Sequence, residues 1–262
     1  MTQRHAFTLI ELLVVVAIIG ILMAIMMPSL QRVKEQAQEM SCRSNLRQYG
    51  LAQSMYLDEH GGRYPMAWNS LVKTEYPVPG YERFCRWHDP RYPADGPFWR
   101  YLPEQKAHLC PSFKTLAKTM ATRHPQHVAA NPIRPYYSYS MNAFLGPGNR
   151  GAPTGGAEKL SNITRRHSEV FFFSEENMWL RPGCERVLND NALCPDGPDW
   201  FGTFHGAKRG DWNGGSANAV FVDGHVERVK SALKDNPNDN TDKEFGRYER
   251  FGWPLKKRPA GL

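Results

Sequence analysis

Two histidines and two aspartates in the C-terminal part of the chain are the first residues that could do chemistry. His205 and Asp211 lie six positions apart, and Asp223 and His225 lie on either side of Gly224. Imidazole and carboxylate groups can exchange a proton or bind a metal ion together. The simpler interpretation is a turn aspartate that shapes its own backbone beside two surface histidines. We therefore expect no catalytic residue and no metal site here.

The cysteines form the second group with possible chemistry. None is part of a C-x-x-C pair, which is the usual signature of zinc ribbons and thiol redox motifs. Cys184 and Cys194 bracket a short segment and are the candidate disulfide if the chain lies in an oxidising compartment. Pairing Cys194 with His205, or Cys85 with His88, matches no familiar zinc spacing. The five cysteines are Cys42, Cys85, Cys110, Cys184 and Cys194.

Two polar segments have ligand-binding composition. Residues 235–244 contain enough oxygen donors for calcium but lack EF-hand spacing, so a polar loop is favoured and calcium in the head is the alternative. Residues 76–101 interleave aromatic and arginine side chains, which could stack on nucleic acid or glycan. We favour aromatics that fill the core with arginines covering them, so nucleic-acid binding is not expected but stays open.

The bulk composition is that of a folded protein with a basic surface. The chain has 262 residues, of which 41% are hydrophobic and 23% charged, and its formal net charge is +7. The positive charge is spread along the chain, which favours a solvated surface over a nucleic-acid site. No P-loop, G-x-G-x-x-G or G-x-S-x-G motif is present, so three common enzyme classes lack their signature.

The N-terminal segment has the strongest pattern in the chain. From Phe7 to Met27 the sequence is apolar except for Thr8 and Glu11. As a helix it would be about 31 Å long, close to the hydrocarbon thickness of a bilayer. A secretory signal peptide would have a shorter apolar core followed by a small-residue cleavage site. We therefore expect a retained transmembrane helix.

Glu11 is the unusual residue of this segment. A charged side chain at the centre of a membrane helix costs about 2.5–3.5 kcal/mol on insertion scales, so such residues usually have a partner. The alternative is that Glu11 lies near the interface and complements the positive end of the helix dipole.

Residues 7–15, FTLIELLVV, resemble the processing signature of type IV prepilins and type II secretion pseudopilins. The resemblance implies cleavage by prepilin peptidase between Ala6 and Phe7, followed by N-methylation of Phe7. It also implies that Glu11 pairs with the terminal amine of a neighbouring subunit and sets the filament register. Pro28 matches the helix-kinking proline of these families, whereas Ala6 stands where they usually have glycine.

The segments that follow indicate a long helix and a small sheet. An amphipathic pattern continues after Pro28 as far as Gly61 and Gly62, which predicts one helix over residues 7–60. Residues 136–140 and 169–173 have strand composition. Residues 217–229 contain two β-rich runs around Asp223-Gly224, which predicts a hairpin with a two-residue type I′ turn.

His205 and the Asp223-Gly224 pair also resemble the "H-X9-DG" processing-associated prepilins of bacterial envelopes. The interval between His205 and Asp223 is longer here, at 17 residues (206–222). Three other segments are similar to the same family, namely CRSNLRQ at 42–48, CPS at 110–112 and YSMN at 139–142.

We therefore expect an α+β, pilin-like fold: a long N-terminal helix with a membrane-inserted first half, packed on a small antiparallel sheet with long loops. The predicted organisation is a leader (1–6), a helix (7–60, transmembrane over 7–27) and a head (61–262) with a polar, basic tail (235–262).

The resemblance implies a non-enzymatic subunit of a pilus-like or pseudopilus-like filament. Its expected partners are prepilin peptidase, other pilin subunits, the inner-membrane assembly platform and membrane lipid. The expected location is the inner membrane, single-pass, with the head in the periplasm or outside the cell. An envelope-anchored module that binds DNA or glycan and a membrane-tethered enzyme remain alternatives.

Overall fold

The structure is a computed structural model. It describes residues 8–73, 86–89, 91–120, 133–147, 156–177, 188, 191–194, 201–208, 214–230 and 252–256. Within these residues the fold consists of two α-helices, α1 (Leu9–Glu59) and α2 (Pro111–Met120), and five strands. The strands are β1 (Tyr139–Asn142), β2 (Phe171–Glu175), β3 (Ala192–Leu193), β4 (Ser216–Phe221) and β5 (Val226–Lys230). The α+β, pilin-like class is confirmed.

Helix α1 has clear signals at both ends. Thr8 caps its N-terminus, and His60 follows its last residue. Gly61 and Gly62 then adopt φ of 59° and 74°, a left-handed conformation that glycine takes without a Cβ clash. The predicted long helix is therefore confirmed. At 1.5 Å per residue, its 51 residues extend about 76 Å.

The two halves of α1 have different surroundings. The first half contains a window with a mean hydropathy of 3.0, and none of that window is buried. Within the described residues, α1 alone is long and apolar enough to cross a membrane. The second half packs on the head through side chains spaced three to four apart. The buried residues of α1 are Cys42, Leu46, Tyr49, Gly50, Ala52, Gln53, Tyr56 and Leu57.

The five strands form one sheet in the order β3-β1-β2-β4-β5. Neighbours pair antiparallel except β1 and β3, which are parallel. β2 and β4 are buried along their whole length. Phe173 of β2 belongs to the core that includes α1, whereas Phe171 belongs to a second buried cluster with Phe201 and Phe221. The central strands are therefore covered on both faces, which explains their apolar composition.

The hairpin between β4 and β5 is confirmed, but its predicted turn is wrong. The Gly224 N–H donates to the Phe221 carbonyl at 2.8 Å, and the Phe221 N–H donates to the His225 carbonyl at 2.9 Å. These bonds close a three-residue loop over 222–224, with Gly224 at φ 87° in its last position. This geometry is a turn followed by a left-handed glycine, so Gly224 serves as a bulge residue.

The hairpin loop packs directly on α1. A Cβ on Gly50 would lie 3.2 Å from the Gly224 Cα and 3.2 Å from the Val220 Cγ2. The Gln53 side-chain amide donates to the Val222 carbonyl at 2.7 Å. The backbones of helix and hairpin thus approach closely here, and a larger residue than glycine would push the hairpin loop by a few tenths of an ångström.

Candidate functional site

The described part of α1 begins with a closed capping box. Glu11 Oε2 accepts hydrogen bonds from the Thr8 backbone N–H at 2.8 Å and from the Thr8 hydroxyl at 2.7 Å. The Glu11 N–H donates to Thr8 Oγ1 at 3.3 Å. The Glu11 carboxylate therefore faces the start of the helix, where the dipole favours negative charge. Ala6 and Phe7, the predicted cleavage and methylation residues, lie outside the described residues.

The first half of α1 exposes large apolar side chains on every face of the helix. Between Leu9 and Val33 their exposed fractions run from 45% to 78%. Fully burying one such side chain is worth about 1.5–3 kcal/mol, so this surface requires lipid or other apolar helices. The residues are Leu9, Ile10, Leu12, Leu13, Val14, Val15, Val16, Ile18, Ile19, Ile21, Leu22, Met23, Ile25, Met26, Met27, Leu30 and Val33.

Pro28 lies inside α1, just after the uninterrupted apolar run that ends at Met27. Proline has no backbone N–H to donate to the preceding turn, and its ring crowds the carbonyl four residues earlier. Helix α1 nevertheless continues without a break on both sides of Pro28. A kink at Pro28 stays a prediction.

The second candidate site lies where the second half of α1 packs on the head. Four side chains meet there with their donor atoms all within 4.8 Å of one another. Glu175 Oε1 lies 2.6 Å from Cys42 Sγ and 2.7 Å from His205 Nε2. Cys110 Sγ lies 3.6 Å from His205 Nε2. All four residues are buried. We call this set, Cys42, Cys110, Glu175 and His205, the buried tetrad.

Each member of the buried tetrad comes from a different part of the fold. Cys42 lies on α1, Cys110 immediately precedes α2, and Glu175 ends β2. His205 forms an isolated bridge with Ser216, the first residue of β4, through two backbone hydrogen bonds of 3.0 Å. The tetrad therefore joins α1 to the sheet and to the start of α2.

A second set of polar groups holds the buried tetrad in place. The Asn218 N–H donates to Glu175 Oε2 at 2.8 Å, which leaves Oε1 for Cys42 and His205. The Tyr139 hydroxyl donates to Cys42 Sγ at 3.2 Å, and the Asn218 side-chain amide lies 3.8 Å from the same sulfur. The orientation of the carboxylate and of one sulfur is thus fixed from outside the tetrad.

The charges of the buried tetrad depend on one another. Burial lowers the pKa of His205, but the Glu175 carboxylate and Cys110 outweigh it and raise that pKa to about 11. Burial raises the pKa of Cys42 well above its ordinary value, and its two neighbours Cys110 and Glu175 add to this. Burial opposes ionisation of Cys110 too, but hydrogen bonds with Cys42 and His205 lower its pKa. Without an ion, the tetrad is a buried His–Glu pair bonded to two thiol groups.

The structure places His205 away from Asp223 and His225, although the sequence suggested that these residues could form one site. The expectation that His205 lies on the surface is wrong, because it is 3% exposed and bonded to Glu175. Asp223 instead accepts from the His225 backbone N–H at 3.2 Å, and the His225 ring lies 2.5 Å from it in the exposed hairpin loop. Asp223 therefore has the predicted structural role in its turn.

Other sequence predictions fall partly outside the described residues. Cys184 of the candidate disulfide and Asp211 lie outside them, as does the whole calcium-like stretch 235–244. In the aromatic–arginine segment, Trp87, Tyr92 and Trp99 are buried in the head. These three side chains fill the core and offer no stacking surface.

Residues 1–27 match the family model described as the prokaryotic N-terminal methylation motif. The match covers the apolar segment with Glu11 near its start, and ends one residue before Pro28. Comparisons with curated proteins and with solved structures found no significant match.

Proposed function

We propose that this chain, a prepilin-type N-terminal cleavage and methylation protein, is a structural subunit of a type IV pilus-like or type II secretion pseudopilus-like filament rather than an enzyme. The observation that carries the proposal is the apolar surface of α1, which is exposed on every face and begins beside a single carboxylate. A membrane anchor requires only a helix with this apolar length. The carboxylate adds nothing to the apolar length. Its hydrogen bonds come from uncharged groups of Thr8, so in an apolar environment its charge still calls for a cationic partner.

A cleaved neighbouring subunit can supply that partner. Cleavage before Phe7 would leave a positively charged amine four residues ahead of Glu11 in the sequence. Two helices offset along their axes by about one turn, 5.4 Å, bring the amine of one to the carboxylate of the other. A low-dielectric surrounding strengthens such a pair, so the same contact would repeat along a filament and set its register.

The remaining partners follow from this assembly. Prepilin peptidase would cut between Ala6 and Phe7, and an inner-membrane assembly platform would extract the apolar half of α1 from lipid. The head would lie in the periplasm or outside the cell. Apolar helices of many subunits would then replace lipid around one another.

The intact mass and N-terminal sequence of the protein recovered from cell envelopes test the proposal. A chain that begins at N-methylated Phe7 supports prepilin processing. A chain that keeps residues 1–6 would contradict it and leave a plain membrane anchor. A start beyond Pro28 would identify a removed signal peptide and overturn the proposal as well.

A further inference from the structure

We propose that the buried tetrad is a structural zinc site that fastens α1 to the head. Cys42, Cys110 and His205 would each give one ligand atom, and Glu175 Oε1 would give the fourth. No step of filament assembly enters this inference, so it stands or falls independently of the proposed function.

The donor types match zinc better than they match other common ions. Zn²⁺ binds cysteine sulfur, histidine nitrogen and carboxylate oxygen, usually with four ligands in a tetrahedron. Calcium and magnesium take oxygen ligands, and one carboxylate cannot supply enough of them. Two sulfurs and one imidazole therefore select a transition metal of the zinc type.

The spacing of the donors is close to that of a zinc site, because all four atoms lie within 4.8 Å of one another. Ordinary zinc–ligand bonds in a tetrahedron separate the ligand atoms by about 3.3–3.8 Å. The 3.6 Å between Cys110 Sγ and His205 Nε2 lies in that range. The contacts of Glu175 Oε1 with Cys42 Sγ and His205 Nε2, at 2.6 and 2.7 Å, are shorter, and they would have to lengthen by about 0.6–0.9 Å when an ion replaces the protons between these atoms.

The proton and charge balance can be written for this exchange. Binding displaces one proton from each thiol and one from the His205 imidazolium, and all three pass to solvent. Two thiolates and one carboxylate then surround a divalent cation, which gives a site charge of −1. The Tyr139 hydroxyl, 3.2 Å from Cys42 Sγ, spreads part of that charge by donating to the sulfur.

The surroundings of the tetrad have the order expected around a metal site. Ligand side chains in such sites are usually held by further hydrogen bonds that set their orientation. Asn218 holds the outer oxygen of Glu175, and Ser138 Oγ accepts from the Cys110 backbone N–H at 2.8 Å. One donor atom of each of the four ligands points to a common centre. The second carboxylate oxygen of Glu175 and the backbone N–H of Cys110 are hydrogen-bonded to Asn218 and Ser138 instead.

One ligand of the tetrad borders a cleft in the surface. His205 lines a cleft of about 380 Å³ that also borders Arg32, Glu39 and Arg228. The remaining three ligands do not line that cleft. A closed site with four protein ligands has no open position for a substrate, so its role is structural rather than catalytic.

The competing chemistry is a disulfide between Cys42 and Cys110. Both thiols lie within the 4.8 Å set, and an oxidising compartment favours disulfides. Oxidation would remove two of the four ligands and exclude the ion. The test must therefore separate a zinc-bound dithiol from a disulfide.

The experiment uses the full chain in detergent. Protein isolated without reductant is treated with a thiol-alkylating reagent under denaturing conditions. Its mass is then measured by mass spectrometry, which counts the cysteines that were not in a disulfide. A second sample is reduced, stripped with a chelator, dialysed and divided; one half is titrated with Zn²⁺, and the other with Co²⁺ followed by Zn²⁺, which should displace the cobalt. Cys110→Ser is the test variant, and Cys194→Ser, which removes a cysteine outside the tetrad, is its matched control.

The expected result is one equivalent of Zn²⁺ in the wild-type chain and in Cys194→Ser, with thiolate-to-cobalt charge-transfer absorption on Co²⁺ substitution. Cys110→Ser should bind Zn²⁺ at least tenfold more weakly and lose that absorption. A wild-type chain that retains no Zn²⁺ after reduction would overturn the proposal, whatever the variant does. A Cys42–Cys110 disulfide in the isolated chain would overturn it as well.

Discussion

Cys42 and Glu175 are 133 positions apart in the chain, yet the Cys42 sulfur lies 2.6 Å from Glu175 Oε1. Cys42 faces the head from the middle of α1, and Glu175 ends the strand beneath it. The contact is buried, so the sulfur and the carboxylate have exchanged water for each other. Helix and sheet are therefore joined by a polar contact inside an apolar interface, where a broken bond is costly.

Tyr139→Phe should weaken zinc binding without removing a ligand. The variant deletes the hydroxyl that donates to Cys42 Sγ and leaves the ring in place. Loss of such an outer hydrogen bond typically costs about 10–100-fold in metal affinity. Competition with a chelator of known affinity measures the change. Tyr101→Phe, whose hydroxyl contacts Glu59, is the control and should bind zinc as the wild type does. Equal affinity of Tyr139→Phe and the wild type would remove Tyr139 from the site.

Gly50→Val should destabilise the docking of α1 on the hairpin. A Cβ at this position already lies 3.2 Å from the Gly224 backbone, and two further methyl groups would have to displace it. Overpacking of this kind costs about 1–3 kcal/mol. Leu51→Val places the same side chain at the adjacent, exposed position and should change stability much less. Denaturant unfolding of the full chain in detergent, followed by tryptophan fluorescence, compares the two.

Glu11→Gln should block assembly and leave processing intact. Glutamine keeps the length of the side chain but cannot neutralise a neighbouring amine, so filament yield should fall at least tenfold. Immunoblots of the sheared filament and membrane fractions measure the yield, and mass spectrometry checks the N-terminus. Glu39→Gln is the control, because Glu39 pairs with Arg228 of the head. Normal filament yield in Glu11→Gln would contradict a register role for this carboxylate.

Asp89→Asn should lower stability at neutral pH and less so in acid. Burial raises the pKa of Asp89, but hydrogen bonds from Arg91 at 2.6–3.1 Å outweigh it and hold that pKa below its usual value. A depressed folded-state pKa adds stability above pH 3.8, which is lost as pH falls through the folded value.

The variant should lose about 1.5–3 kcal/mol at pH 7, the range for hydrogen bonds to charged groups. Its difference from the wild type should shrink below pH 3.8. Thermal unfolding from pH 7 to pH 3 follows both chains, with the exposed Asp58→Asn as control. A difference that is constant with pH would show that the charge of Asp89 is not the cause.

Local signals account for the parts of the fold that sequence predicted. The apolar run, the amphipathic pattern and Gly61-Gly62 specify α1 within a few neighbouring residues, and β-rich runs around Asp223-Gly224 specify the hairpin. The predicted turn type was wrong because Asp-Gly also fits a three-residue loop. In the structure Phe221 pairs with His225, so Val222 joins Asp223 and Gly224 in the loop. That choice depends on the register of β4 and β5, which the dipeptide does not encode.

The buried tetrad could not be predicted in the same way. Its contacts join residues 30, 95 and 133 positions apart, so no spacing rule describes it. Cys42, Cys110 and His205 each lay in a segment with a family resemblance, but nothing indicated that these segments meet. Glu175 carried the one usable signal, since a carboxylate two positions after three consecutive phenylalanines is expected to be buried with a polar partner.

The way α1 lies along the head has a mechanical consequence. Its contacts with the hairpin and the buried tetrad are spread along the helix from Cys42 to Gln53. Tension applied along the helix axis would load these contacts in shear, so they would have to rupture together rather than one after another. A pull across the axis would instead peel them apart in sequence. The same set of bonds is therefore strongest in the direction along which a thread of such subunits would be pulled.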